Sequence, residues 1–517
     1  MSRIEMDTAN NKHDAALLLG QNEENSLSKT IKIIQLNKRE ESKSCSKMIM
    51  HFATNQYIAG LIGSISVMVG ATCIAWVAPI LHILQGPDSP VPMTSDQTSW
   101  MVSFIEIGPF FTPTISGILS DRIGRKPCIY FSVFLYLASW VLMLSVYTVP
   151  ALYAARTLQG MALGITFTIV PMYLGEIAEN HIRGALTTLF QTLFHVGLLF
   201  EYCIGPYFSY ETVLYVNAAL SVLFFGLFYF QVESPYYYLI KNNEYKALLA
   251  LTTLRGNQPA VKIEQELREM KAVIEKEMSG PSKVSFSDVF KTRADRKALF
   301  LVVVITVTKA YCGLLAILSY ATEAFRVNDE GSVLGPNEYT ILIGLQMVIV
   351  VGISAKFVDS LGRRPLILAS SFGCFVCNVL VCVYFYMNQY SSYDLTKYHW
   401  LIFSCFSLFA FFFSFGLGPV ALTLQSELFP TNTRGIASSF CALSFTVASF
   451  LCLKLYQVFT DHYGLYLNYL LFSIFCMIGF ILTFIFLPET KGKSFSEIRL
   501  QLSGGEPTDV ESSAAKS

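Results

Sequence analysis

Apolar and polar positions fall in long blocks along this chain. Twelve apolar stretches reach about 20 residues, the length at which a helix crosses a bilayer. They predict helices α1–α12 over 57–81, 99–119, 128–147, 151–173, 185–205, 212–231, 298–321, 339–358, 366–387, 400–423, 436–456 and 465–487. The expected fold class is an all-α membrane protein. Residues 1–50 carry mixed charge, few aromatics and no apolar period, and read as disordered. Within them Asp14 to Leu19 fits an acidic dileucine trafficking signal, a pattern short enough to arise by chance. No apolar h-region precedes α1, so α1 is expected to act as its own insertion signal. In the polar insert after α6, Leu248, Leu249, Leu251, Leu254, Ile263, Leu267, Met270 and Ile274 recur at helical spacing. That pattern predicts a small bundle of amphipathic helices lying beside the membrane.

Composition narrows the class. Of 517 residues, 53% are hydrophobic and 14% charged, against roughly 25% charged in soluble domains. A soluble core cannot hide so much apolar surface, which excludes nucleic-acid binders, secreted disulfide scaffolds and soluble enzymes. Net charge is zero, but its placement is uneven: one face receives 32 of the 37 basic residues. The loops of the other face hold only Arg326 and Lys397, and Arg156, Lys309 and Lys454 lie within spans. By the positive-inside rule both termini are cytoplasmic. Of the twelve cysteines, only Cys45 lies outside a predicted span. The Cys374–Cys377 pair falls inside α9 and reads as two small apolar side chains rather than a redox or metal motif. With no P-loop and with its seven histidines scattered, the chain offers no enzyme motif, cofactor or metal centre.

The chain repeats itself. Ser120-Asp-Arg-Ile-Gly-Arg-Lys-Pro127 recurs as Val358-Asp-Ser-Leu-Gly-Arg-Arg-Pro365. Glu176 with Arg183-Gly184 recurs as Glu427 with Arg434-Gly435, each pair seven residues apart. Glu233-Ser-Pro is echoed by Pro488-Glu489-Thr490. One register relates all three matches, so the chain divides into an N-terminal segment 1–50, a six-helix half 51–232, a helical linker 233–297, a second six-helix half 298–487 and a tail 488–517. Duplicated halves with a site between them are a recurrent transporter plan. Asp121 and Asp359 are placed to meet helix N-termini. Arg122, Arg125, Arg363 and Arg364 are placed to pair with Glu176 and Glu427. Together with Arg183 and Arg434, these residues are read as a gating rim that holds the halves closed inside and breaks as they rock.

These motifs resemble the sugar porters of the major facilitator superfamily, and in style the insect facilitated trehalose transporters. The likeness rests on Asp121-Arg-Ile-Gly-Arg-Lys126, Pro171-Met-Tyr-Leu-Gly-Glu-Ile-Ala178, Glu233-Ser-Pro235, Glu427-Leu-Phe-Pro430 and Pro488-Glu-Thr-Lys-Gly492. It implies two pseudo-symmetric six-helix halves, a plasma-membrane location and a small solute, a sugar, carried by alternating access between them. In that family amides on helices 5, 7, 8, 10 and 11 hold the sugar. Gln191 is retained here, but Lys309, Ala310 and Leu315 replace the α7 amides. Met347 beside Gln346, Ala421 with Leu422, and Phe445 replace those of α8, α10 and α11. Each unpaired hydroxyl of a buried sugar costs on the order of 1–3 kcal/mol. Other groups must therefore compensate, and Thr72, Tyr320, Gln346, Ser414 and Ser444 are candidates.

Ionisable residues inside a membrane are functional hypotheses. Lys309, near the middle of α7, has three open roles: binding an acidic solute, pairing with a carboxylate, or snorkelling to water. Glu106 on α2 and Lys454 on α11 are candidates for an ion pair between the halves. Helix α1 lacks the carboxylate of proton-coupled relatives, which favours facilitated diffusion. The functions left open are a facilitative carrier of trehalose, glucose or a related sugar, a carrier of an anionic or less polar solute, and a non-transporting sugar sensor.

Overall fold

The computed structural model describes residues 55–179, 181–256, 258–279, 289–326, 334–391, 398–429, 431–493 and 495–503. The dileucine pattern, Cys45 and the rest of 1–54 lie outside these residues, as do the side chains of Asp359 and Arg434. Eleven helices among the described residues are long and apolar enough to cross a membrane. The twelfth, α5 (Arg183–Ile204), misses that criterion because Thr187, Thr188, Gln191, Thr192, His195 and Glu201 give it a polar face. The first half comprises α1 (Gln56–Gln85), α2 (Ser95–Ile123), α3 (Arg125–Ser145), α4 (Val149–Ile177), α5 and α6 (Tyr210–Tyr229). The second comprises α7 (Arg293–Arg326), α8 (Pro336–Leu361), α9 (Arg363–Tyr390), α10, α11 (Thr431–His462) and α12 (Leu465–Phe486). Helix α10 runs from His399–Phe412 through a π-turn at Phe413–Leu417 into Gly418–Glu427.

Equivalent helices pack alike in the two halves: α1 on α5 as α7 on α11, α2 on α4 as α8 on α10, and α3 on α6 as α9 on α12. The halves meet where α2 packs on α11, α5 on α8, and the ends of α1 and α7 on each other. This is the twelve-helix arrangement expected from the repeat. Helices α2 and α4 cross with their backbones close together. A Cβ at Gly160 would collide with the Ile105 carbonyl, and one at Gly108 with the backbone of Met161.

Several spans are broken. Helix α1 bends at Trp76, where Pro79 cannot donate to the Ala75 carbonyl. Helix α7 breaks at Cys312–Gly313, and α10 carries its π-turn just ahead of Pro419. In a bilayer the backbone groups freed at such breaks must find partners inside the protein. Arg156, 1% exposed on α4, donates to the Cys73 carbonyl of α1 and to the Met101 carbonyl of α2. Asn378 of α9 donates to the Cys312 carbonyl at 2.9 Å. Ser370 of α9 donates to the Phe412 carbonyl and accepts from the Leu417 N–H. Cys374 and Cys377 are buried in α9 between these contacts.

The linker forms helices Pro235–Ile240, Glu244–Arg255 and Ala260–Ser279. Leu248, Leu251, Ile263, Leu267, Met270 and Ile274 close their shared core, whereas Leu249 is turned outward. Arg255, its side chain fully buried, donates to Gln56 and to the Ile177 carbonyl and pairs with Glu179 and Glu266. The linker is thereby pinned to the ends of α1 and α4. Its side of the molecule is here called the linker face, and the opposite side the far face. Substituting Gly160 with Val should force α2 off α4 and cost about 1–3 kcal/mol. Detergent-solubilised protein should show a lowered thermal midpoint, and an unchanged one would contradict this packing.

Candidate functional site

At the linker face each half builds the same charged cluster. Gly124 (φ 110°) and Gly362 (φ 95°) turn the chain into α3 and α9 in a conformation that L side chains rarely adopt. The residues after them expose helix N-termini, and a carboxylate covers each. Glu233 accepts from the N–H groups of Arg125, Lys126 and Ser234 at 2.8–3.2 Å. Glu489 accepts from Arg363, Arg364, Thr490 and Lys491 at 2.8–3.1 Å. Glu233 and Glu489 are therefore caps of α3 and α9, and for α3 the cap is not Asp121, as the sequence suggested. Asp121 instead lies outside, 61% exposed, against the Arg125 guanidinium at 3.1 Å.

Arg125 also meets Glu176 at the end of α4 at 2.8 Å, and Arg363 meets Glu427 at the end of α10 at 3.1 Å. Both pairs lie within one half. Arg364 turns away to the Phe484 carbonyl and ring on α12. Arg122 and Arg183 are exposed. Burial pushes the Glu233 carboxyl above its ordinary range, against the pull of its N–H donors. Burial acts on Glu489 in the same sense, but its four N–H donors outweigh it and hold that carboxyl below the usual range.

Polar links between the halves lie toward the far face. Lys454 of α11 reaches Asp96 at 2.6 Å and Ser99 at 2.7 Å, with its ammonium 4.2 Å from the Trp100 ring centre. Ser95 hydrogen-bonds Asp461. Tyr202 donates to the Leu318 carbonyl, and Tyr207 to Glu338. Lys454 thus finds its carboxylate at the start of α2, about 15 Å along the helix axis from the Glu106 that sequence reasoning paired with it. Glu106 is buried within electrostatic reach of Arg156. At the linker face, a Cβ at Gly175, Gly184 or Gly435 would meet nothing within 4 Å. Among the described residues the polar links between the halves lie at the far face.

Midway between these ends, Lys309 sits beside the α10 π-turn, with the Gly418 carbonyl at 3.5 Å and the Phe445 ring centre at 5.7 Å. Among the described residues it forms no ion pair. Across the seam, the His195 ring of α5 lies within its electrostatic reach and is held by the Gln191 carbonyl at 2.8 Å. The Gln191 amide is partly exposed one turn earlier. Ser414, in the π-turn, is 1% exposed with a hydroxyl that has no partner among the described residues. The other candidates are differently engaged. Gln346 exchanges hydrogen bonds with Ser407 of α10. Tyr320 stacks on Tyr456 at 4.6 Å, buried and with its hydroxyl unpartnered. Thr72 and Ser444 bond their own helices. The structure therefore gathers Gln191, His195, Lys309 and Phe445 about the seam, while Ser414 is buried in the π-turn within the second half and Gln346 is tied up there too. His195 was missed by the sequence reading; its position four residues after Gln191, on the same helix face, was the available signal.

The model of the family described as "Sugar (and other) transporter" matches residues 32–502. The chain belongs to this family. Members of this sugar transporter family are transmembrane carriers and not enzymes, and the chain is one of them. It is 28% identical over 413 residues to the facilitated trehalose transporter Tret1 of Bombyx mori, covering 80% of each chain. A Tret1-2 homologue of Drosophila sechellia is 26% identical, over 88% of this chain and 93% of its own. The fold matches an inward-open structure of the xylose transporter XylE from E. coli with a TM-score of 0.70 at 20% identity, over 86% of this chain and 99% of that one. A structure of XylE, a proton:xylose symporter, bound to 6-bromo-6-deoxy-D-glucose gives 0.68 over 87% of this chain.

Two expectations follow for this transporter. Glu489→Gln removes a charge that four N–H groups stabilise. Because the folded carboxyl is depressed, its contribution is present above the ordinary carboxylate range and is lost as pH falls through the folded value. The variant should melt a few degrees below wild type near neutral pH, with the gap closing in acid; a gap independent of pH contradicts the cap. Lys454→Met should weaken far-face closure by about 1–2 kcal/mol. A cysteine placed in the seam near Ser99 should then be labelled faster by a membrane-impermeant thiol reagent added at the far face.

Proposed function

We propose that this carrier moves a sugar of the trehalose or glucose class across the plasma membrane by facilitated diffusion, with the linker face cytoplasmic. The asymmetry of the seam carries the reading. Links between the halves cluster at the far face, while the charged clusters of the linker face stay within each half. Two rigid halves can then rock about a central site and expose it to either side in turn. The charge distribution supports the orientation. The names of the relatives support the solute class, and the absence of a carboxylate from α1 supports uncoupled transport. Gln191, Lys309 and Phe445 line the proposed site, and Asp121, Arg122, Arg125, Glu176, Arg183, Asp359, Arg363, Arg364, Glu427 and Arg434 form the moving rim. A sensor needs no such rim in each half, and the paired clusters favour a carrier.

One observation supports a second reading of the solute. Lys309 faces the seam without a carboxylate among the described residues, so an acidic sugar derivative would supply its counter-ion. Labelled trehalose, glucose and glucuronate offered to oocytes expressing the chain separate these readings. Uptake of either neutral sugar above water-injected controls is the expected result, and none despite surface expression overturns it. Lys309→Gln should shift preference toward neutral over acidic sugar by roughly tenfold, the scale of one charge-assisted hydrogen bond. An unchanged ratio removes Lys309 from the site.

A further inference from the structure

The first turns of α7 carry a feature that the carrier function does not use. Arg293, Arg296, Lys297 and Phe300 recur at i, i+3, i+4 and i+7, which places them on one stripe of the helix. With Leu301 and with Phe486 from the end of α12, they line a groove of about 270 Å³ on the outside of the second half. Its two phenylalanines meet edge to face, ring centres 6.0 Å apart, and remain 47% and 45% exposed. They lie on the surface that faces lipid. Phe300 sits about 10 Å along the axis from Arg293, so the groove runs from a cationic mouth at the membrane surface to an aromatic floor at acyl-chain depth.

Among the described residues no carboxylate lines the groove. The nearest acid in sequence, Asp295, is turned to the other side of the helix. It bonds the Thr292 hydroxyl and pairs at 3.1 Å with Arg499 of the tail helix Phe495–Ser503. Among the described residues Arg293, Arg296 and Lys297 have no ion-pair partner. Three cations without a counter-ion among the described residues, above an apolar slot, call for a ligand with a negative head and a hydrocarbon tail. A small soluble anion would meet the cations and leave the phenylalanines unused, and a neutral lipid would do the reverse.

We propose that this groove binds one anionic phospholipid from the leaflet at the linker face, its phosphate among Arg293, Arg296 and Lys297 and an acyl chain against Phe300 and Phe486. The inference rests on the orientation proposed above and not on the solute, and its test requires no transport.

The full chain is purified and placed in nanodiscs of phosphatidylcholine with or without phosphatidylserine, and native mass spectrometry reads the lipid retained. The wild type should keep phosphatidylserine in preference to phosphatidylcholine at one copy per chain. Each cation near a membrane surface contributes roughly a fivefold factor, so Arg293→Gln with Arg296→Gln and Lys297→Gln should abolish the preference. Lys297→Gln alone, the milder change, should reduce it about fivefold. Phe300→Ser should lower retention with the cations intact, and Arg499→Gln, outside the groove, should leave it unchanged. Undiminished retention in the triple and Lys297 variants overturns the proposal. Equal displacement by water-soluble glycerophosphoserine also overturns it, by showing a site for a free anion.

Discussion

A bilayer offers no hydrogen-bond partner to a broken helix, and the architecture of this transporter depends on meeting that constraint. A carrier whose site lies between its halves needs bent and interrupted helices there, since straight ones would present only side chains. Each interruption frees carbonyl or N–H groups that would cost several kcal/mol if left in hydrocarbon. The bend of α1, the break of α7 and the π-turn of α10 are each answered by one buried polar side chain from a neighbouring helix: Arg156, Asn378 and Ser370. These side chains tie α1 to α4, α7 to α9 and α10 to α9. The breaks that the site requires are therefore also the joints that make each half rigid.

The ends of the helices follow the same logic with charge. Glu233 and Glu489 return from the far end of each half's chain to cover the N-termini of α3 and α9. Arg125 and Arg363 then reach the ends of α4 and α10. These contacts are buried or backbone-directed and internal to one half. The ion pair that crosses between the halves is of another kind: Asp96, opposite Lys454, is 68% exposed, and exposed pairs are weak. Charged contacts that are buried within each half, and an exposed ion pair between the halves, let the halves move as bodies.

The fold was legible in the chain because burial in lipid demands long apolar runs, and the duplicated motifs survive as text in one register. The site was less legible. Gln346 read as a free amide beside a lost one, yet Ser407 occupies it. Tyr320 read as a cavity hydroxyl, yet it is stacked under Tyr456 at the far face. Lys309 was visible as an anomaly, but its neighbours Phe445 and Gly418 come from helices more than a hundred residues away, and His195 from the other half.

By itself the sequence determined the class, the number of spans, the pseudo-symmetry and the face that bears the charge, since each depends on which residue types occur and in what order. Only the tertiary structure decided the partners: Glu233 rather than Asp121 as the cap of α3 and Glu489 as that of α9, Asp96 rather than Glu106 for Lys454, and pairs within a half rather than across it. The reason is geometric. Whether two side chains meet depends on how far each helix is rotated about its axis and how deep it sits. Packing of all twelve helices sets those quantities, and the order of residues along any one of them does not.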